Sequence, residues 1–383
     1  MMREFLKQRV LDAGRLALQK VEQYNPGLAQ RLRQEAKQIL GRPAAVNPAP
    51  VAAPPVASEP PRAEVKPKIM EFEPATLPWL DKPEADIEGY VKGLGGAVEN
   101  PEELIGQLRS WRDNGFVILP RAIEPELIDA LLADVDELFT NCSKYSILIN
   151  SESKGIRPAR DFKPEDFTEH HSRVLDFHNN SIAGKRISLH PKLVKMLEHI
   201  FREPIVAMQS LTFTYGSEQT THADYAYVVP RIPSHLAATW VALEDIKLEA
   251  GPLGYFPGSH HLPKFDFGNG IFLTPESTKN EFHFRDHLEA QCRKAGIERQ
   301  IYLPKKGDVF VWHGSLAHQG SPQLTPGLTR KAFVTHYSTV RAYPYDRRQD
   351  GVEPKKHYLN GGVIYSNPKN PKEEDIFTRG GKV

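Results

Sequence analysis

With 383 residues, 49 Lys and Arg against 48 Asp and Glu, the chain is long enough to enclose a buried active site and lacks a net field for drawing in a polyanion, which speaks against nucleic-acid binding. Two cysteines, Cys142 and Cys292, are too few for a disulfide framework or a cysteine-rich zinc site and point to a reducing compartment, with the cytoplasm as the default. No apolar run approaches the ~20 residues that span a bilayer, and charges stand where a signal peptide needs its apolar stretch.

The first 42 residues carry apolar side chains at helical spacing, Leu6, Val10, Ala17 and Val21, then Leu28, Leu32, Ala36 and Leu40 after Pro26-Gly27, which predicts two amphipathic helices. Arg3, Lys7, Arg9, Arg15 and Lys20 on the polar face suit docking on a partner or an anionic membrane surface; a helical hairpin or self-associating appendage is the favoured reading. Residues 43–82, rich in Pro and Ala, read as a linker, because such a composition buries too little surface to fold. The catalytic domain is expected over 83–345 and a C-terminal extension over 346–383.

Within that domain a helix is expected to end at Asn114, with Gly115 as its cap, before a short strand from Phe116 to Leu119. A second helix is predicted from Glu124 to Phe139, where Pro125 and acidic residues suit its start. The polar stretch from Cys142 to Ser188 reads as long loops. A helix from His190-Pro191 to Phe201 leads into short β-like runs: Ile205 to Tyr215, Tyr225 to Val229, Leu236 to Leu243, Ile301 to Leu303, Val309 to Trp312 and Ala332 to Tyr337. A helical insertion around Phe282 to Ala295 interrupts them. Such a series, punctuated by Gly and Pro, is how a sheet-built barrel or sandwich reads.

In Thr221-His222-Ala223-Asp224-Tyr225 the His and the Asp are two apart, a spacing that turns both side chains to one face of an extended segment. His318 follows a later apolar strand that would lie beside the first. Two histidines and one carboxylate on one face, with the other coordination positions open, form the facial triad of non-haem iron(II) oxygenases. His313 competes for the third place, and His318 is preferred because it stands closer to Arg330. Arg330, opening the last apolar strand, carries a permanently charged fork shaped for a carboxylate.

Together these residues resemble the phytanoyl-CoA hydroxylase family of iron(II)/2-oxoglutarate oxygenases, which also includes ectoine hydroxylase. The resemblance runs from about Leu104 to Ser338 through Asn114-Gly115-Phe116-Val117-Ile118-Leu119-Pro120, His222 and Asp224, and Trp240-Val241-Ala242-Leu243-Glu244-Asp245. It continues through Gly251-Pro252-Leu253, Pro257-Gly258-Ser259-His260, Gly307-Asp308-Val309, His313, His318 and Arg330. It implies a mainly β fold with flanking helices and a double-stranded β-helix (jelly-roll, cupin-like) core. It also implies iron(II) held by His222, Asp224 and His318, with 2-oxoglutarate and dioxygen as cosubstrates. By the same resemblance Arg330 grips the distal carboxylate of 2-oxoglutarate, Ser321 assists, and Trp240 and Gln209 lie near the cosubstrate. His260 and His261 belong to a structural turn. The stretch from His318 to Arg330 is about one residue longer than in the family's animal enzyme, which bears on Ser321.

The expected reaction is hydroxylation of an aliphatic carbon in a small molecule or acyl conjugate, with release of succinate and carbon dioxide. Desaturation or epimerisation would use the same ligands, a non-redox cupin-like enzyme would need another purpose for Arg330, and a scaffold protein would have no need of the intact triad. Halogenation is disfavoured because Asp224 is retained. Arg157, Arg160, Arg173, Lys185 and Arg186 suit the phosphates of an acyl-CoA; His170, His171, Asn179, Asn180 and Tyr227 suit a polar metabolite.

Overall fold

The computed structural model describes residues 70–168, 172–344, 356–365 and 375–381, all within the unit Lys66–Val383. The helices expected over residues 1–42 and the linker before residue 70 lie outside the described residues, as do His170 and His171. The linker expected to reach residue 82 gives way earlier, because Leu80 is fully buried and the Trp79 indole donates to the carbonyl of His199 at 2.9 Å. Asp81 accepts from the Trp111 indole at 3.1 Å.

Helix α1 (Ile87–Leu94) is followed by α2 (Pro101–Asn114), where Asn100 caps the start with its side chain and Pro101 occupies the first turn. Gly115 ends α2 at φ 80°, and its amide donates to Trp111 O at 2.9 Å. A Cβ there would lie 2.6 Å from His260 Nδ1, so both conformation and space call for glycine. Strand β1 (Phe116–Leu119) and helix α3 (Pro125–Thr140) follow as expected.

The stretch read as loops instead contains β2 (Leu148–Ser151), β3 (Gly155–Pro158), β4 (Arg173–Leu175) and helix α4 (Ile182–Ser188). These elements are too short to show a period, and β3 has no fully buried residue to mark it as a strand. Helix α5 (Pro191–Phe201) then leads to β5 (Ile205–Phe213), β6 (Ala237–Ala242) and β7 (Leu253–Tyr255). The strand expected from Tyr225 to Val229 is not formed. The chain makes a 3-10 turn at Asp224–Ala226, because the amides of Tyr227 and Val228 both return to Asp224 O. After the insertion helix α6 (Glu281–Lys294) come β8 (Gln300–Tyr302), β9 (Val309–His313), β10 (His318–Gly320) and β11 (Ala332–Thr339). The expected extension contributes a hairpin of β12 (Lys356–Leu359) and β13 (Gly362–Tyr365).

The large sheet runs β1-β9-β6-β11-β5-β4-β2-β3, and a small sheet runs β10-β7-β8. Pairing is antiparallel except where β13 joins β5 in parallel through Val206 and Ala207, sharing that edge with β4, which pairs with Leu211 to Phe213. This is the double-stranded β-helix architecture anticipated from the sequence. Its central strands are buried on both faces and still alternate. Val241, Val311, Phe333 and Tyr337 meet the helices, whereas Trp240, Phe310, Trp312 and Val334 meet Leu253, Tyr255 and Tyr302 of the small sheet. A bulge at Met208, between the pairs Gln209↔His336 and Ala207↔Tyr337, shifts the parity of β5. Gln209, Leu211 and Phe213 can therefore face the interior while Ile205 and Ala207 pack under the helices.

Candidate metal centre and its cavity

His222 and His318 form an antiparallel bridge beside the small sheet, each amide donating to the other's carbonyl at 2.9 and 2.8 Å. Side chains of a directly opposed pair project to the same face. Ala223 is extended (φ −133°, ψ 140°), so Asp224 turns to that face as well, although the chain enters a turn at that point. The ligand-capable atoms of His222, Asp224 and His318 lie within 4.8 Å of one another. Asp224 Oδ1 is 3.9 Å from His222 Nε2 and 3.6 Å from His318 Nε2.

Both imidazoles are fixed from behind in the same way. His222 Nδ1 lies 2.8 Å from Thr220 O, and His318 Nδ1 lies 3.0 Å from Leu316 O. A carbonyl only accepts, so each Nδ1 carries the proton and each Nε2 turns a lone pair toward the cluster. The Trp312 indole donates to Asp224 Oδ2 at 2.8 Å, orienting the carboxylate and leaving Oδ1 toward the histidines. Burial opposes ionisation of Asp224, but His318, His336 and His222 outweigh it and hold the carboxyl well below its ordinary range. Burial, with the neighbouring His318, pushes His222 down to about 4. A convergent set of two imidazole nitrogens and one carboxylate oxygen is the donor chemistry of an open iron(II) site, and the residues present fit that ion.

The cluster opens into a cavity of 710 Å³. Arg330 enters its wall only 3% exposed, with its guanidinium carbon 5.5 Å from the Phe213 ring centre and 5.4 Å from that of Trp240. Its Nε is buried without a hydrogen bond, and its Nη2 donates to a backbone carbonyl, Tyr215 O, at 3.5 Å, not to a carboxylate. Burial pushes its pKa down to about 10, which is the physical cost of a guanidinium lacking its anion. Gln209 lines the same wall, its Nε2 3.2 Å from His336 Nδ1. Ser321 is buried with its hydroxyl unpartnered, but it does not join the lining of the cavity.

The rival histidine is elsewhere. His313 Nε2 faces Asp81 at 3.3 Å, and its ring packs on Trp111 and His260. His260 and His261 both reach the Arg112 carbonyl at the end of α2, at 3.1 and 2.9 Å. Of the residues considered for substrate, Arg173 and Tyr227 line the cavity. Lys185 is instead buried against Asp375, Arg186 reaches Gly380 O, Arg160 donates to Ser146, and Asn179 and Asn180 are buried in the fold.

Trp312 and His336 were not singled out from the sequence. His336 Nε2 lies 3.4 Å from Asp224 Oδ2. Alternation could have found it, since residues 330, 332, 334 and 336 share one face once Arg330 is taken as inward. Trp312 precedes the rejected His313 and gave no such sign.

A family-wide sequence profile described as phytanoyl-CoA dioxygenase (PhyH) matches residues 111–332. Phytanoyl-CoA dioxygenase domain-containing protein 1 of Danio rerio is 27% identical over 161 residues, 40% of this chain and 51% of that protein. The chain thus spans about half the length of the first curated relatives it matches. Ectoine dioxygenase of Bordetella bronchiseptica is 24% identical over 288 residues, 71% of this chain and 82% of that protein. The crystal structure of the epimerase SnoN in complex with Fe3+, alpha-ketoglutarate and nogalamycin RO superposes with a TM-score of 0.50 at 19% identity, covering 70% of this chain and 100% of that one, which shows a shared fold.

Proposed function

Because this chain belongs to the phytanoyl-CoA dioxygenase family of iron(II)- and 2-oxoglutarate-dependent oxygenases, we propose that it hydroxylates an aliphatic carbon of a small-molecule or acyl-conjugate substrate. In this reading His222, Asp224 and His318 hold the iron, and 2-oxoglutarate is converted to succinate and carbon dioxide. The observation that carries it is the convergence of two imidazoles and a carboxylate, both imidazoles tied at Nδ1 to backbone carbonyls. Bound iron(II) supplies the activation of dioxygen.

The chain's own part is binding, orientation and exclusion of water. Arg330 anchors the distal carboxylate of 2-oxoglutarate, and the Phe213 and Trp240 rings keep that ion pair out of water, where it is stronger. Trp312 fixes the rotation of Asp224, and Gln209 with His336 forms the polar side of the cosubstrate wall. No helix among the described residues is long and apolar enough to cross a membrane.

Anaerobic titration with iron(II), paired with succinate formation from 2-oxoglutarate in air, tests the assignment. The expected result is one iron per chain, lost in His222→Ala and in His318→Ala while circular dichroism stays unchanged. Parent-like iron binding by both variants overturns the ligand set, and an oxygen-dependent parent indifferent to 2-oxoglutarate overturns the reaction.

A further inference from the structure

The cavity holds a second guanidinium that the site described above does not use. Arg173 opens β4, opposite Asn150 on β2 and Phe213 on β5, and its side chain lines the cavity. Its Nε is buried without a hydrogen-bond partner, and no carboxylate among the described residues forms an ion pair with it. Burial alone holds its pKa below the ordinary value. A partly buried guanidinium with an unpartnered Nε costs stability, a cost that a ligand offsets by supplying an anion.

That anion is not the cosubstrate's. In the reading proposed above, one carboxylate of 2-oxoglutarate faces the metal and the other faces Arg330, which leaves none for Arg173. The positive charge of Arg173 bears on His222, one of the two histidines of the metal cluster. Asn150 faces Arg173 from β2, and the cavity lining includes the apolar side chains of Ile156, Leu175, Leu211 and Leu273. A volume of 710 Å³ falls in the range of about 300–1,000 Å³ typical of sites for drug-sized ligands, and leaves room beyond 2-oxoglutarate.

We propose that Arg173 is a specificity-determining residue that pairs with a carboxylate or phosphate of the substrate, so that the substrate is an amphipathic anion with an apolar body along Ile156, Leu175, Leu211 and Leu273. The proposal rests on the iron/2-oxoglutarate reading, since that reading assigns Arg330 elsewhere. The charge fixes one end of the substrate, and the length of the apolar body decides which carbon comes to the metal.

Calorimetry on anaerobic, iron(II)- and 2-oxoglutarate-loaded protein tests it with octanoate, octyl phosphate and 1-octanol as probes. The parent binds at least one anion more tightly than the alcohol, and the tighter of the two identifies the headgroup. In Arg173→Gln that anion weakens about tenfold or more, while 1-octanol and 2-oxoglutarate keep affinities within about twofold; Arg173→Lys, which retains the charge, recovers part of the loss. Anion binding equal in the parent and Arg173→Gln, no preference for either anion over the alcohol, or a loss of 2-oxoglutarate affinity in its place overturns the proposal. Failure of 2-oxoglutarate to bind the iron-loaded parent counts instead against the reading beneath it, and the anion probes on the same protein still decide the role of Arg173.

Discussion

In the proposed reading, a guanidinium 3% exposed, near the rings of Phe213 and Trp240 and with an orphaned Nε, makes Arg330 the residue on which 2-oxoglutarate dependence turns. Replacing it with Gln sets the distal carboxylate against a neutral amide, a loss on the order of 2–5 kcal/mol, so the KM for 2-oxoglutarate rises at least about tenfold. Iron affinity stays at the parent value, because Arg330 is no ligand; steady-state kinetics together with anaerobic iron titration check both halves. At this scale the sequence was legible where spacing maps directly onto direction. His222 and Asp224 share a face because the single residue between them is extended, and His318 joins them by backbone pairing after an apolar strand. Trp312 and Arg173 were harder, since their importance comes from what faces them across neighbouring strands: Asp224 for the indole, and the cavity into which the guanidinium turns an unpartnered Nε.

Among the elements, the segment before α1 shows most clearly where composition misled. Pro and Ala content argued for a linker to residue 82, yet Leu80 is fully buried, Trp79 lies under the Arg202 guanidinium at 3.7 Å, and Asp81 meets both Trp111 and His313. A chain beginning at Lys66 is therefore expected to keep the parent's unfolding midpoint, whereas one beginning at Pro83 loses a buried leucine and its neighbours, at a cost of about 2–5 kcal/mol or more. Urea unfolding of the two chains measures this, and equal midpoints would restore the longer linker. Long periodic elements such as α2, α3 and α5 were legible because burial on one face repeats over several turns. The strands β2 to β4 were not, being three or four residues each, with Ile149 and Val174 among their few buried side chains. The bulge at Met208 left no trace in an uninterrupted apolar run, although it sets which side chains of β5 reach the cavity.

Over the whole molecule, burial is the largest cause holding His190, His199, His235 and His260 below the ordinary imidazole pKa, with His260 pushed down to about 2. In the unfolded chain each takes up a proton near pH 6.5, whereas in the folded chain each resists it, so the stability they contribute is complete above about 6.5 and is lost as the pH falls below it. Calorimetric scans should give a level midpoint between about pH 8 and 7 and a falling one toward about pH 5, with a shallower fall in His235→Asn; a midpoint level throughout would show that these imidazoles titrate normally. The double-stranded β-helix itself was legible from the train of short apolar runs. What the runs did not disclose was the partnership between distant segments, above all the parallel pairing of β13 with the middle of the chain. That pairing bears on synthesis. As the chain emerges from the ribosome, β5 is made long before β13, and the edge at Val206 and Ala207 has no strand to cover it until the hairpin arrives. An open apolar edge is a template for another copy of the same strand. The last hairpin thus acts as a closing piece, and the hazard of aggregation belongs to the interval between two strands that are neighbours in space and far apart in time.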